Sequence, residues 1–396
     1  MNSYKPAKVA VIIPKYGLLG GAEEHTAEIT NRIAQRKDFD VHVFANKWTN
    51  DSENITFHKI PIITFPKFLT TISFAYFSGL KTSPFHFDII HTHDRVFQSD
   101  ICTLHGIPHR TWVRDVRKKR MPSLFDLGTM WVDCKCAENS KAFIAVSSLT
   151  KEKFLEENRD VEPDKVKIIY PGVNVEDFSK LDGELCRHQI RRQFGISLND
   201  VVVLFVSMNY DIKGLDYLMS GLAQFLNNHK DQRIKLLVVG KSSQKKYDLL
   251  AKQLGIYNNI IYTGVVERDL VPRFYKASDI YAMPSRFDTF GLTVLEAMAA
   301  SLPVIISTNV GAKDCVRHGE NGFIVNNGNG LEGICSALEL LCNPDIRNKF
   351  SNRAFETALN YSWDKNVDQH VDLYHQLLLM KSRAKQSNHI QPARVW

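Results

Sequence analysis

Two carboxylates eight positions apart, Asp288 and Glu296, frame the stretch of this chain best suited to chemistry. Between them runs Thr289-Phe290-Gly291-Leu292-Thr293-Val294-Leu295, and Ala297-Met298-Ala299 follows. Pro284-Ser285 stands before the pair, and Pro303-Val304-Ile305-Ile306 follows as a short strand. A glycine turn at a helix start leaves backbone N–H groups pointing outward, where the helix dipole favours a phosphate. A carboxylate one turn into that helix can accept from a pair of sugar hydroxyls. Together these residues suit a nucleotide diphosphate with its ribose attached.

Other stretches compete for chemical roles. Gly20-Gly21 follows the apolar run Val9–Ile13 and opens a helix, so a diphosphate could approach its backbone. It lacks the G-x-G-x-x-G spacing, which disfavours a nicotinamide cofactor. Asp88-Ile89-Ile90-His91-Thr92-His93-Asp94 puts two histidines and two acids at a strand end. A metal would need a further ligand, and spacing identifies none, so a structural strand end is the expectation and no metal is assigned. Lys213-Gly214 follows the strand-like run Val201–Val206. Val239-Gly240-Lys241-Ser242 ends like a phosphate-binding loop, but Lys235 stands where that loop needs its first glycine. Asp38-Phe39-Asp40 spells D-x-D yet precedes the Val41 strand, the wrong end of a sheet for a metal-nucleotide site, and reads as a turn.

These residues need a scaffold, and the apolar pattern describes one. Val9–Ile13, Val41–Phe44, Asp88–His91 and Ala142–Val146 read as strands, with Glu23–Arg36 an amphipathic helix between the first two. The alternation breaks at Tyr170-Pro171-Gly172-Val173 and restarts with strands at Val201–Val206, Ile234–Val239, Ile260–Tyr262, Ile280–Met283 and Val304–Ile306. Leu215–Leu226 reads as a helix. The fold class is therefore α/β, with two doubly wound units in tandem. The expected divisions are residues 1–172, residues 173–363, a closing helix over 364–380 that crosses back to the first domain, and a frayed polar tail over 381–396.

Composition narrows the classes of function. A chain of 396 residues with 44% hydrophobic and 23% charged residues is ordinary globular material for two domains. The first apolar segment is strand-sized and no uninterrupted run of membrane-spanning length occurs, so neither a signal peptide nor a spanning helix is expected. Seven scattered cysteines fit reduced thiols in a cytosol. The net charge of +7 gathers visibly at Arg110, Arg114, Arg117, Lys118, Lys119 and Arg120. Stacking aromatics at regular spacing are missing, which disfavours nucleic acid. A solvated helix face competes with an anionic surface, a phospholipid leaflet or a phosphorylated glycolipid, and the second is preferred. The aromatic stretch Ile62–Leu80 upstream reads as interfacial or as core.

The run from Asp288 to Glu296 resembles the E-x7-E signature of the retaining, GT-B-fold glycosyltransferases of family 4, with Asp288 in place of the first Glu. Gly20-Gly21-Ala22-Glu23 is similar to that family's GG-x-E loop, and Thr103-Leu104-His105-Gly106 to its T-x-H-G segment. Lys213-Gly214, Tyr275-x-Ala277-x-Asp279 and Ser362-Trp363 match further motifs, so the resemblance spans both halves of the chain. Within the family, the lipopolysaccharide core glucosyltransferases look closest.

The resemblance implies a GT-B arrangement with a cleft between two domains, and transfer of a hexose from a nucleotide-diphosphate sugar with retention. UDP-sugar is favoured and GDP-mannose is the other option. The amides of Phe290, Gly291 and Leu292 would hold the diphosphate, with Gly20 and Gly21 closing from the other domain. Glu296 would bind the ribose. Lys213 would stabilise the leaving diphosphate, and Asp288 and His105 would shape and polarise the donor sugar, with Asp100 a weaker candidate nearby. No cofactor or metal is implied. The acceptor would be a glycolipid or polysaccharide at the cytoplasmic face of a membrane. One departure stands out: the family's arginine ahead of K-G is replaced by Ser207 and Met208, leaving Arg286 or Lys241 to substitute. A sugar-nucleotide epimerase of the same fold and a nucleotide-sugar-binding homologue without activity are the alternatives.

Overall fold

The computed structural model describes residues 5–18, 20–49, 52–241, 243–326 and 330–389. The chain divides into two compact units, residues 1–171 with 363–396, and residues 172–362. In the first unit, in chain order, lie β1 (Ala7–Ile12), α1 (Gly21–Ala34), β2 (Phe39–Ala45), β3 (Ile55–Lys59), α2 (Leu69–Thr82), β4 (Ile89–Thr92), β5 (Ser99–Leu104), α3 (Leu124–Asn139), β6 (Ser140–Ala145) and β7 (Val166–Ile168). Their seven strands are all parallel, in the order β3-β2-β1-β4-β5-β6-β7. The second unit contains α4 (Gly183–Gln193), β8 (Val201–Ser207), α5 (Tyr210–Lys213), α6 (Leu215–Asn228), β9 (Ile234–Gly240), β10 (Ile260–Gly264), β11 (Ile280–Met283), α7 (Leu292–Ala299), β12 (Val304–Ser307) and β13 (Gly322–Val325). Its six strands are also parallel, in the order β10-β9-β8-β11-β12-β13.

The central strands read as near-continuous apolar runs because helices cover both faces of each sheet. Val202 to Phe205 in β8 are all buried, as are Val9 to Ile12 in β1. In each sheet the winding direction reverses beside the first strand, between β1 and β4 and between β8 and β11. Segments leaving the carboxyl ends of these strands border the crevice where such sheets bind ligands. D-x-D residue Phe39 opens β2 and so lies at the opposite end.

The C-terminal helix, Trp363–His389, belongs to the first unit. Trp363, Val367, Val371 and Tyr374 form its buried stripe against Ile29 and Ile33 of α1, and Asn366 Nδ2 donates to the Tyr170 carbonyl at 2.7 Å. The helix does not stop where the sequence turns polar: it continues past Lys381, whose ammonium pairs with Asp100 at 2.7 Å. Residues 390–396 of the expected tail lie outside the described residues.

Four strands of the seven- and six-stranded sheets escape the pattern reading. β3 is a short edge strand, and β7 has three residues. β5 begins with polar Ser99 and Asp100, which are buried because the Ser99 hydroxyl pairs with Ser140 at 2.9 Å and Asp100 accepts from Lys141 at 2.9 Å. β13 begins at Gly322, where a Cβ would meet the Val304 carbonyl at 2.5 Å.

Candidate functional site

In the second unit, Lys213 and Asp288 come together from segments far apart in sequence. Lys213 ends the single turn α5 that follows β8, and its ammonium donates to Asp288 Oδ2. Gly214 makes this possible: its φ is +77°, and a Cβ there would meet the Pro284 carbonyl at 2.1 Å. Asp288 is fixed by its own backbone, which donates to the Asn309 carbonyl at 2.9 Å and accepts from Gly311 at 3.0 Å. Its Oδ1 accepts from the Phe290 amide at 3.3 Å. One of the three amides assigned to the diphosphate is therefore turned toward Asp288.

Gly291 caps α7 at φ +91°, and a Cβ there would come within 2.9 Å of Met283 and 3.3 Å of Asp288 Oδ2. Phe290 is buried, anchoring the turn, and Leu292 is half-buried at the first helical position. One turn on, Glu296 accepts from the Tyr275 hydroxyl at 2.7 Å. Burial pushes the Glu296 carboxyl above its usual range, with the Tyr275 bond opposing the rise. Tyr275 belongs to a matched motif to which sequence reading assigns no role, and its bond to Glu296 makes it a polar partner. Asp279 is structural. It accepts from Arg191 at 2.7 Å, Arg187 at 2.8 Å and the Val202 amide at 2.7 Å, tying α4 to the sheet.

Of the two candidates to substitute for the missing arginine, Arg286 is already engaged. The Arg286 guanidinium pairs with Asp216 at 2.9 Å and sits 4.4 Å over the Tyr217 ring. Lys241 is exposed directly after β9 and has no ion pair among the described residues.

In the first unit, Gly20 caps α1 at φ +154°, where a Cβ would meet the Glu23 carboxylate at 2.2 Å, and Gly21 is the first residue of that helix. Ala22 lines a cavity of about 260 Å³ together with His93, Asp94, Arg95, His105 and Gly106. His105 follows β5, and its Nε2 lies 2.9 Å from Nδ1 of His93, which follows β4. Burial, reinforced by His370, pushes the His105 imidazole down to about 3. His91 is a structural histidine: Nδ1 meets the Tyr374 hydroxyl and Nε2 the Thr103 hydroxyl, each at 2.7 Å. Asp100 is structural too, held by Lys141, Lys381 and the Ile90 amide at the opposite end of β5 from His105.

Sequence reading pairs His91 with His93 by strand period and finds no third partner. The structure separates those two roles and brings His25 of α1 beside His105, ring centroids 4.8 Å apart. His25 was legible in one respect: it continues the buried Ile29 and Ile33 stripe by one helical turn.

The basic cluster is largely neutralised. Arg110 pairs with Glu157 at 3.0 Å, Arg114 with Asp115 at 2.6 Å, Arg117 with buried Asp126 at 2.9 Å, and Lys119 with Asp126 at 3.8 Å. Lys118 and Arg120 are exposed and have no ion pair among the described residues. Beside them stand exposed Met121, Leu124, Leu127 and Trp131, and α2, which packs on α3, exposes Tyr76 and Leu80, with Phe65 and Phe68 just before it. No helix among the described residues is long and apolar enough to cross a membrane.

Two family models match the sequence: Glycosyltransferase Family 4 over residues 19–177 and Glycosyl transferases group 1 over residues 187–357. A D-inositol 3-phosphate glycosyltransferase of Acidothermus cellulolyticus is 25% identical, aligning 96% of this chain with 93% of its own length. Among solved structures, WaaG, a glycosyltransferase involved in lipopolysaccharide biosynthesis, superposes with a TM-score of 0.77 at 18% identity, covering 92% of this chain and 99% of its own. Anabaena HepE in complex with UDP-glucose superposes with a TM-score of 0.71 at 18% identity, covering 93% and 99%. The fold is thus of the GT-B type. With one family model on each unit, this chain belongs to glycosyltransferase family 4 and moves a sugar from a nucleotide sugar.

Proposed function

We propose that the protein is a retaining hexosyltransferase that uses a UDP-sugar, or GDP-mannose, and a glycolipid or polysaccharide acceptor in lipopolysaccharide or other cell-surface glycan synthesis. The observation that carries the reading is the Lys213–Asp288 ion pair beside the glycine-capped start of α7, with Glu296 one turn further on. All of it lies where β8 and β11 mark the reversal of the sheet.

In this reading Glu296, already hydrogen-bonded to Tyr275, accepts from the ribose hydroxyls as a carboxylate. The amides of Gly291 and Leu292, with Phe290 after it is released by Asp288, hold the diphosphate. Lys213 leaves Asp288 for the leaving diphosphate, offsetting the charge that develops there. Breaking its bond to Asp288 frees both groups at once, so donor binding and site assembly are coupled. Asp288 then orients and polarises the sugar. The transition state is oxocarbenium-like. Lys213 and the helix dipole do the electrostatic work, with no metal required for transfer.

The exposed aromatics before and on α2, the apolar face of α3 and the unpaired Lys118 and Arg120 support peripheral contact with an anionic membrane on its cytoplasmic side. The test of the chemistry is proton NMR of the sugar released or transferred from UDP-glucose, UDP-galactose and GDP-mannose. Appearance of the product anomer with the donor's configuration supports the reading. Inversion, or conversion of one sugar nucleotide into another without transfer, removes it. For the membrane contact, pelleting with anionic vesicles should weaken with salt and with Lys118→Glu/Arg120→Glu; pelleting indifferent to both sinks it.

A further inference from the structure

We propose that His25, His93 and His105 form a binding site for one divalent transition-metal ion, Zn²⁺ by the chemistry of its ligands, with a fourth coordination position facing the cavity beside β4 and β5. The three rings come from three separate elements: α1, the segment after β4 and the segment after β5. Each offers one ring nitrogen, and these nitrogens lie within 4.8 Å of one another. Three imidazoles around zinc, at Zn–N near 2.05 Å, place their nitrogens about 3.3 Å apart. Small ring rotations therefore close the set.

A second observation points the same way. Both nitrogens of His25 and Nε2 of His93 are buried with no hydrogen-bond partner among the described residues. Buried polar atoms of a native protein are nearly always satisfied, because an orphan costs about 1–3 kcal/mol. Coordination to one ion takes one nitrogen from each ring and so satisfies one of the two on His25.

The surroundings act as an outer shell. His91 is held by Tyr374 and Thr103, and its ring lies against that of His93 with centroids 4.2 Å apart. Trp363 meets His25 edge-on at 5.4 Å. An all-imidazole set without carboxylate disfavours Mg²⁺ and Ca²⁺ and favours zinc. His93 and His105 line the cavity of about 260 Å³, so water or a small anion could take the fourth position. Coordination would replace the His93–His105 hydrogen bond. The inference does not rest on the transferase reading, since metal binding is measured without nucleotide.

The experiment uses the full chain, stripped with EDTA and dialysed against buffered Zn²⁺, with bound metal counted by elemental mass spectrometry and affinity measured by calorimetry. One ion per chain is expected. His25→Gln and His93→Gln should each weaken binding at least tenfold while retaining the far-UV circular dichroism of the parent. His58→Gln, in the separate His42–His58 pair, should leave it unchanged. Absent or substoichiometric binding, or undiminished binding by folded His25→Gln, overturns the proposal. Co²⁺ on the unmutated chain gives an independent reading should the variants misfold. Intense four-coordinate visible bands support the site, and a weak six-coordinate spectrum overturns it.

Discussion

The two units share one winding order but present opposite chemistry at the point where it reverses. In the second, the segments leaving β8 and β11 bring a lysine and an aspartate into an ion pair beside a helix start, with a carboxylate one turn further. In the first, the segments leaving β4 and β5 bring together neutral histidines, and the helix after β1 adds another. Topology fixes where a site forms, and the residues on a few loops decide what it does. The charged site is suited to a diphosphate and the neutral one to a sugar hydroxyl or a soft cation.

The largest effect should come from removing the ribose partner. Glu296→Ala is predicted to weaken UDP binding by about a hundredfold or more, since two charge-assisted hydrogen bonds are lost. A dissociation constant within threefold of the parent would break the assignment of the second unit as the donor side. Asp288→Asn should separate chemistry from binding. Turnover is expected to fall by about 10- to 100-fold, while UDP affinity changes little or improves as Lys213 is released. Equal losses in both would show that the pair is scaffolding.

A smaller effect tests the geometry under Lys213. Gly214→Ala places a Cβ 2.1 Å from the Pro284 carbonyl at a positive φ, and should cost about 1–3 kcal/mol of stability in the second unit. The four described tryptophans, Trp48, Trp112, Trp131 and Trp363, lie in the first unit, so the shift should appear in far-UV circular dichroism more than in tryptophan fluorescence.

Acid sharpens the comparison from the other side. His25, His91, His93, His105 and His370 are all held below their ordinary value of 6.5, first of all by burial, with His370 at about 4 and His105 at about 3. Because the folded-state values are depressed, the unfolded chain binds more protons in this window. The stability these neutral rings support is complete above pH 6.5 and is lost as pH falls toward the folded values. Metal-free protein should therefore show a tryptophan-fluorescence transition on acidification that takes up more than one proton. A first unit no more acid-sensitive than the second would contradict the neutral cluster.

Much of this was legible in the sequence, unevenly. Continuous apolar runs marked β1 and β8, and the motif residues flanking Gly291 and Gly214 located the charged site. The histidine cluster was hidden because its members lie on three elements and spacing along one strand relates only His91 to His93. Burial of Asp100 and Ser99 concealed β5, since their partners Lys141, Lys381 and Ser140 are distant in sequence. The basic cluster looked like free charge because Glu157 and Asp126, which neutralise most of it, are contributed by neighbouring elements.

The central claim is that the second unit carries a nucleotide-diphosphate site that works without metal. Isothermal titration of the purified chain with UDP, GDP, ADP and CMP, first in EDTA and then with Mg²⁺, tests it most directly. Saturable binding of one diphosphate nucleotide in EDTA, lost in Glu296→Ala, is the predicted result. Binding that appears only with Mg²⁺, or no binding to any of the four, would contradict the account.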